Sequence, residues 1–310
     1  MTAPKPRRIR PSPPSSLSCR DCPVCGASAV PVQFPREFVW SGTVFRQYRC
    51  LGCRTVFTDP VPTQDQLAKV YDWTSYHSAY PEIPAARDDA TLSRVGNYTS
   101  GKKLLDVGCG TGSFLRRAAT AGYEAIGAEI TDTVAQEASA RAGVPVVPLE
   151  TLLEGSSQFD VVHCRDVLAH LVEPRETLAR LLRLLTIEGL LVLDDPIEEN
   201  PSLVLGAARA WSKWSSHGCL RASSRGPTML MRMTARSHQI LLDGMGLELV
   251  ESRVTETGWP YCVPGQPIRT FAAAVKAGVG WSARALSWLD VTNTFGNRVF
   301  TISRRRGSSD

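Results

Sequence analysis

The chain has 310 residues, 43% of them hydrophobic and 21% charged, a balance that supports a sizeable core and excludes collagen-like repetition, coiled coil and disorder throughout. The formal net charge of +5 sits on the tails: Lys5, Arg7, Arg8 and Arg10 meet no acid in residues 1–18, and Arg304, Arg305 and Arg306 meet only Asp310, so residues 19–302 are close to neutral. Such a balance disfavours nucleic acid as partner, and no apolar stretch reaches the roughly 18 residues of a membrane-spanning helix.

Residues 1–18, with five prolines and no apolar periodicity, read as a disordered basic leader. They lack the apolar region of a secretory signal, which makes the cytoplasm the expected location. Residues 19–62 read as a small β unit. Cys22-Pro-Val-Cys25 and Cys50-Leu-Gly-Cys53 are two Cys-x2-Cys knuckles separated by 24 residues, the spacing of a four-thiolate structural site for zinc, with iron open as the alternative. Between them, Phe38–Tyr48 predicts two strands turning at Ser41-Gly42, and Arg54–Thr58 a third. A ribbon this small needs a metal staple. Residues 63–100 read as a helical linker, opening with a capping box at Thr63-Gln-Asp-Gln66.

From about residue 101 to 303 the pattern alternates. Strands are predicted at 104–107, 124–129, 144–149, 159–164 and 189–194, with helices at 113–121, 132–142 and 174–185 between them. A helix near 235–244 and strands at 247–255 and 298–303 follow. This is an α/β fold: a doubly wound, mostly parallel, seven-stranded Rossmann-like sheet. Insertions at about 197–230 and 256–292 fall after strands five and six, and residues 304–310 form a basic tail.

Chemistry concentrates where strands end. Asp106-Val-Gly-Cys-Gly-Thr-Gly112 lies between the first strand and its helix, and Gly108, Gly110 and Gly112 let backbone pass close to a ligand at a helix N-terminus. Glu129 ends the second strand 23 residues after Asp106, where a carboxylate can accept bonds from two ribose hydroxyls. His170 follows the fourth strand, placed to act as a general base or to pin its loop. Asp194, Asp195, Glu198 and Glu199 follow the fifth, able to orient a polar substrate, bind a cation or form an exposed acidic loop. Tyr71, Trp73, Tyr76, His77 and Tyr80 precede the sheet, and the first insertion carries Trp211, Trp214 and His217, which suggest a roof over an acceptor.

LLDVGCGTGSF, residues 104–114, resembles the first motif of class I S-adenosylmethionine-dependent methyltransferases. Phe159–Pro174 resembles their fourth motif, and Thr186–Leu193 the loop and strand after it. The leader CPVCG…YRCLGCRTVFTDPVPTQDQLAKVYD resembles the zinc ribbon of a bacterial subgroup that modifies sugars, lipids or secondary metabolites. The resemblance implies S-adenosylmethionine as cofactor and Zn2+ as structural ion, with Cys22, Cys25, Cys50 and Cys53 as ligands. It places Asp106 near the methionine amine, Gly108 and Gly110 along methionine and ribose, and Glu129 on the ribose hydroxyls. Leu149 or Glu150 would flank the adenine, Arg165 would face the cofactor, and Tyr71 and Tyr76 would lid it. The implied reaction is O-methylation of a small polar metabolite. The alternatives are C- or N-methylation, RNA methylation, and a ribbon interaction module on a degenerate fold.

Overall fold

The computed structural model describes residues 19–32, 37–70, 84–215, 221–222, 227–258 and 270–307. The leader 1–18, Tyr71, Trp73, Tyr76, His77, Tyr80, His217 and the side chains of Trp211 and Trp214 lie outside the described residues.

The N-terminal unit is a small sheet of β1 (Ala29–Pro31), β2 (Glu37–Trp40), β3 (Thr43–Cys50) and β4 (Val56–Asp59), with β3 at its centre. β2 and β3 join at Ser41-Gly42, both at positive φ (49° and 77°), the backbone that matches strand twist in a two-residue hairpin. Phe45, Tyr48, Phe57 and Val24 form its core beside the cysteines. In the predicted capping box the Thr63 amide donates to Gln66 Oε1 at 3.0 Å and the Gln66 amide to Thr63 Oγ1 at 3.3 Å, starting α1 (Gln64–Val70).

The large unit begins with α2 (Ala85–Gly96) and continues through β5 (Lys103–Val107), α3 (Ser113–Thr120), β6 (Glu124–Glu129), α4 (Asp132–Ala142), β7 (Val146–Pro148), α5 (Leu149–Glu154) and β8 (Phe159–Arg165). Then come α6 (Pro174–Arg183), β9 (Leu185–Pro196), α7 (Leu203–Ser215), β10 (Arg221–Ala222), β11 (Met231–Arg232), α8 (Ala235–Gly244), β12 (Leu247–Thr255), α9 (Phe271–Leu289) and β13 (Arg298–Arg305). The seven-stranded order is β12-β13-β9-β8-β5-β6-β7; β5 to β9 are parallel, and β13 runs antiparallel to both its neighbours. Buried on both faces, β5 and β8 read as near-continuous apolar runs rather than alternating ones. The chain winds outward from β5 to β7 and returns to β8 on the other side. β5 and β8 therefore flank the switch point where ligands bind beyond the strand ends.

The ribbon is larger than its own stretch of sequence implies. β11 pairs antiparallel with β4 and β10 parallel with β2, so the insertion after β9 completes a six-stranded sheet rather than forming only a roof. Two-residue strands leave no periodicity to read. They form here because the outer edges of β2 and β4 would otherwise expose unpaired backbone groups.

Candidate active site

At the carboxyl end of β5 the chain turns through Gly108, Gly110 and Gly112 at φ +68°, +56° and +73°. These are left-handed positions that a side chain would strain. Space excludes one as well. A Cβ on Gly112 would stand 2.5 Å from that of Ala142, and one on Gly108 would stand 2.8 Å from Val167 Cγ2. Glu129, buried at the end of β6, accepts the Gly110 amide at 2.6 Å and the Ile130 amide at 3.3 Å. Burial pushes its carboxyl up to about 7, against those two amides, which favour the ionised form.

Beneath the turn, Asp106 and His163 occupy paired positions on β5 and β8, and Asp106 Oδ1 lies 2.7 Å from His163 Nδ1. The His163 ring stacks on Phe114 of α3 with centroids 4.0 Å apart. The pair thus ties the floor of the turn to the first turn of the following helix. Sequence gives His163 only one signal, a polar side chain in the buried middle of its strand.

Arg165 ends β8 inside a buried ionic network rather than standing clear of it. Its guanidinium donates to Asp88 Oδ1 at 2.6 Å, lies 3.4 Å from Asp194 Oδ2 and covers the Phe114 ring. Asp194 also receives Arg87 at 2.7 Å and Arg298 at 2.6 Å. Burial raises the Asp194 carboxyl, but Arg298, Arg87 and Arg165 outweigh it and hold the group well below the usual carboxylate range.

The acids at the end of β9 and just beyond it are therefore not an exposed loop. Asp195 is buried, with Oδ1 accepting the Val167 and Leu168 amides at 3.1 and 3.2 Å and Oδ2 facing His238 Nε2 at 4.0 Å. Burial, then the charge of Asp166, raises its carboxyl to about 8, so it is largely protonated at neutral pH. Glu199, its side chain only 3% exposed, joins three guanidiniums: Arg49 of β3 at 2.8 Å, Arg209 of α7 at 2.9 Å and Arg232 of β11 at 3.1 Å. Sequence order hides all of these partners, because they come from distant segments. Glu150 stands on the first turn of α5, directly beyond β7, where it is exposed and pairs with Arg180.

His170 ends a 3-10 turn, Leu168–His170, and its Nδ1 bonds the Thr228 carbonyl oxygen. A carbonyl only accepts, so Nδ1 carries the proton and Nε2 is the acceptor nitrogen of the neutral ring. Burial lowers its pKa, favouring that neutral form. The ribbon reaches the same loop. The Thr58 amide donates to Leu230 O at 2.9 Å, the Leu230 amide to Ala169 O at 2.7 Å, and Arg20 to Val172 O at 3.2 Å. Arg175 of α6 returns a bond to Val24 O in the first knuckle at 3.2 Å.

The sulfur atoms of Cys22, Cys25, Cys50 and Cys53 all lie within 4.8 Å of one another, with Cys22–Cys53 at 3.6 Å and Cys25–Cys50 at 3.4 Å. Four thiolates at about 2.3 Å from one tetrahedral ion would stand about 3.8 Å apart, so the set fits a zinc-sized centre.

The profile of a family described as a methyltransferase domain matches residues 76–252, more than half the chain. The chain belongs to that family. A Geobacillus sp. (strain WCH70) protein named as a methyltransferase is 38% identical over 104 residues, covering 30% of this chain and 42% of that one. The mitochondrial ubiquinone biosynthesis O-methyltransferase of Schizosaccharomyces pombe is 32% identical over 151 residues, covering 45% and 55%. The chain spans about half the length of the curated relatives it matches. A solved SAM-dependent methyltransferase from Archaeoglobus fulgidus overlays with TM-score 0.48 at 15% identity, over 76% of this chain and 100% of that one. The chain keeps its glycine turn, Glu129 and the His170 loop on one rim, at the ends of β5, β6 and β8.

Proposed function

We propose that this methyltransferase transfers the methyl group of S-adenosylmethionine to a hydroxyl of a small polar acceptor, with the His170 loop on the acceptor side. The observation that carries the reading is the Glu129–Gly110 bond of 2.6 Å across the glycine turn. It sets a buried carboxylate beside bare backbone at the N-terminus of α3. Glu129 takes the two ribose hydroxyls, Asp106 lies toward the amine with its own position held by His163, and Gly108, Gly110 and Gly112 admit the ligand backbone to backbone. When bound, the cofactor supplies an electrophilic methyl on a positively charged sulfur, whose departure as a neutral thioether needs no acid.

His170 then has one task. Nε2 accepts the acceptor's hydroxyl proton while Nδ1 stays on the Thr228 carbonyl. Arg165 supports the site from below, as the bridge between Asp88 and Asp194, and Glu150, beyond β7, flanks the adenine. Ubiquinone biosynthesis O-methyltransferases among the relatives favour oxygen over nitrogen or carbon as the attacked atom. Cys22, Cys25, Cys50 and Cys53 hold a structural zinc ion that fixes the ribbon against the His170 loop.

Titration calorimetry with S-adenosylhomocysteine tests the cradle: Gly110→Arg, which fills it, is expected to abolish binding, and unchanged affinity would overturn the assignment. Single-turnover methyl transfer tests the base. His170→Gln is expected to lose a factor of about 100 or more in rate at unchanged S-adenosylhomocysteine affinity, and wild-type turnover in that variant would remove His170 from the chemistry.

A further inference from the structure

The near-neutral charge of residues 19–302 conceals a strong segregation. From Asn200 to Leu242 and from Thr257 to Leu289 the chain has no Asp or Glu, against nine Lys and Arg, and these stretches hold five of its seven tryptophans. They include α7 and α9, which follow β9 and β12 at the carboxyl rim and pack against each other. Arg209 and Arg232 are committed to Glu199.

The surface of α9 is inverted relative to an ordinary amphipathic helix. Its small residues Ala277, Gly280 and Ala283, three apart, turn inward. Its large apolar residues turn out: Trp281, Trp288 and Leu289 are 59%, 85% and 65% exposed, with Val275 and Leu286 about half exposed. A water-facing helix normally places polar groups there. Lys276 and Arg284 are exposed on the same helix. The acid at the end of the helix, Asp290, is turned back on its own loop, accepting the amides of Thr292 at 2.9 Å, Thr294 at 2.8 Å and Phe295 at 2.6 Å.

We propose that the α7–α9 face seats the protein on an anionic lipid bilayer, with the α9 tryptophans at the boundary of headgroups and acyl chains and the cations among the phosphates. Exposed tryptophan and aliphatic side chains on a helix that carries Lys and Arg but no Asp or Glu are the composition of an interfacial helix. No helix among the described residues is long and apolar enough to cross a membrane, so the contact is with the surface. Exposed Leu and Val contribute nothing to phosphate contacts or base stacking, which separates this surface from one for nucleic acid. A second copy on the same face would bring like charges together. Because the face lies on the carboxyl rim, the bilayer presents an acceptor with a lipid tail to the site. That last step rests on the proposed function, whereas the seating does not.

Flotation of the full chain with vesicles tests the seating. The protein is expected to float with phosphatidylcholine vesicles containing about one third phosphatidylglycerol, to float poorly with phosphatidylcholine alone, and to be released by salt. Trp281→Ser with Trp288→Ser should weaken the partition about tenfold or more, and Lys276→Gln and Arg284→Gln about fivefold each. All four side chains are exposed, so circular dichroism and S-adenosylhomocysteine affinity should be unchanged. Absence of flotation, or equal flotation by the tryptophan variant, would overturn the proposal. So would a dimer that the tryptophan variant dissolves without any vesicle binding, or RNA binding that only the cation variants lose.

Discussion

Substitution of Glu129 probes the cradle most directly, because that carboxylate already accepts two backbone amides, those of Gly110 and Ile130, and the proposed function assigns it two ribose hydroxyls as well. Two ribose hydroxyl donors at about 1.5 kcal/mol each amount to about 3 kcal/mol, a factor of roughly 150 in Kd, for Glu129→Ala. Glu129→Gln keeps an oxygen for the Gly110 amide and should lose less. The pH response separates the two charge states. With its carboxyl pushed by burial up to about 7, Glu129 is mostly protonated at pH 6 and mostly ionised at pH 8. If ligand requires the ionised form, affinity should tighten about tenfold over that interval in the parent and stay flat in Glu129→Gln. Stability without ligand runs the other way. A raised folded-state pKa means the folded protein holds the proton more tightly than the unfolded chain, so the contribution is complete below about pH 4.3 and lost as pH rises through about 7. Titration calorimetry with S-adenosylhomocysteine at pH 6, 7 and 8, beside thermal melts, reads both. A Kd for Glu129→Ala within threefold of the parent, or the same pH slope in Glu129→Gln, would refute the reasoning.

Asp194→Asn should destabilise the fold by about 3–5 kcal/mol, because it leaves Arg87, Arg165 and Arg298 without their shared charge; denaturant unfolding measures this. In the parent that stabilisation is complete above about pH 4, the unfolded carboxyl's pKa, and fades only as acid approaches the lower folded value. An unfolding midpoint equal to the parent's would show the network to be idle. Stripping metal with a chelator, or Cys53→Ser, should raise amide exchange across residues 167–173 at least tenfold, because Thr58 of the ribbon holds Leu230, Leu230 in turn holds Ala169, and Arg175 bonds Val24 in the first knuckle. S-adenosylhomocysteine affinity should move less than threefold. Unaltered protection of that loop would mean the ribbon does not hold it.

Local chemistry made much of this molecule legible in one dimension. Seven strands in the right places, the hairpin at Ser41-Gly42, the capping box at Thr63, the two knuckles and the glycine turn each depend on residues within a dozen positions of one another. Glu129 was legible for the same reason: one βα unit sets its distance from the turn.

What sequence order could not convey is which distant groups share a buried charge. Asp194, Asp195 and Glu199 read as an acidic loop because composition records charge and not partners; in the fold their partners come from α2, β8, β13, α8, β3, α7 and β11. Burying a carboxylate is tolerable only where guanidiniums or amides converge on it, and that convergence exists only after the chain has closed. The same holds for β10 and β11, which are strands only because β2 and β4 offer them an edge. It holds for α9 too, whose outward tryptophans could not be told from core residues until the fold had buried Ala277, Gly280 and Ala283 instead.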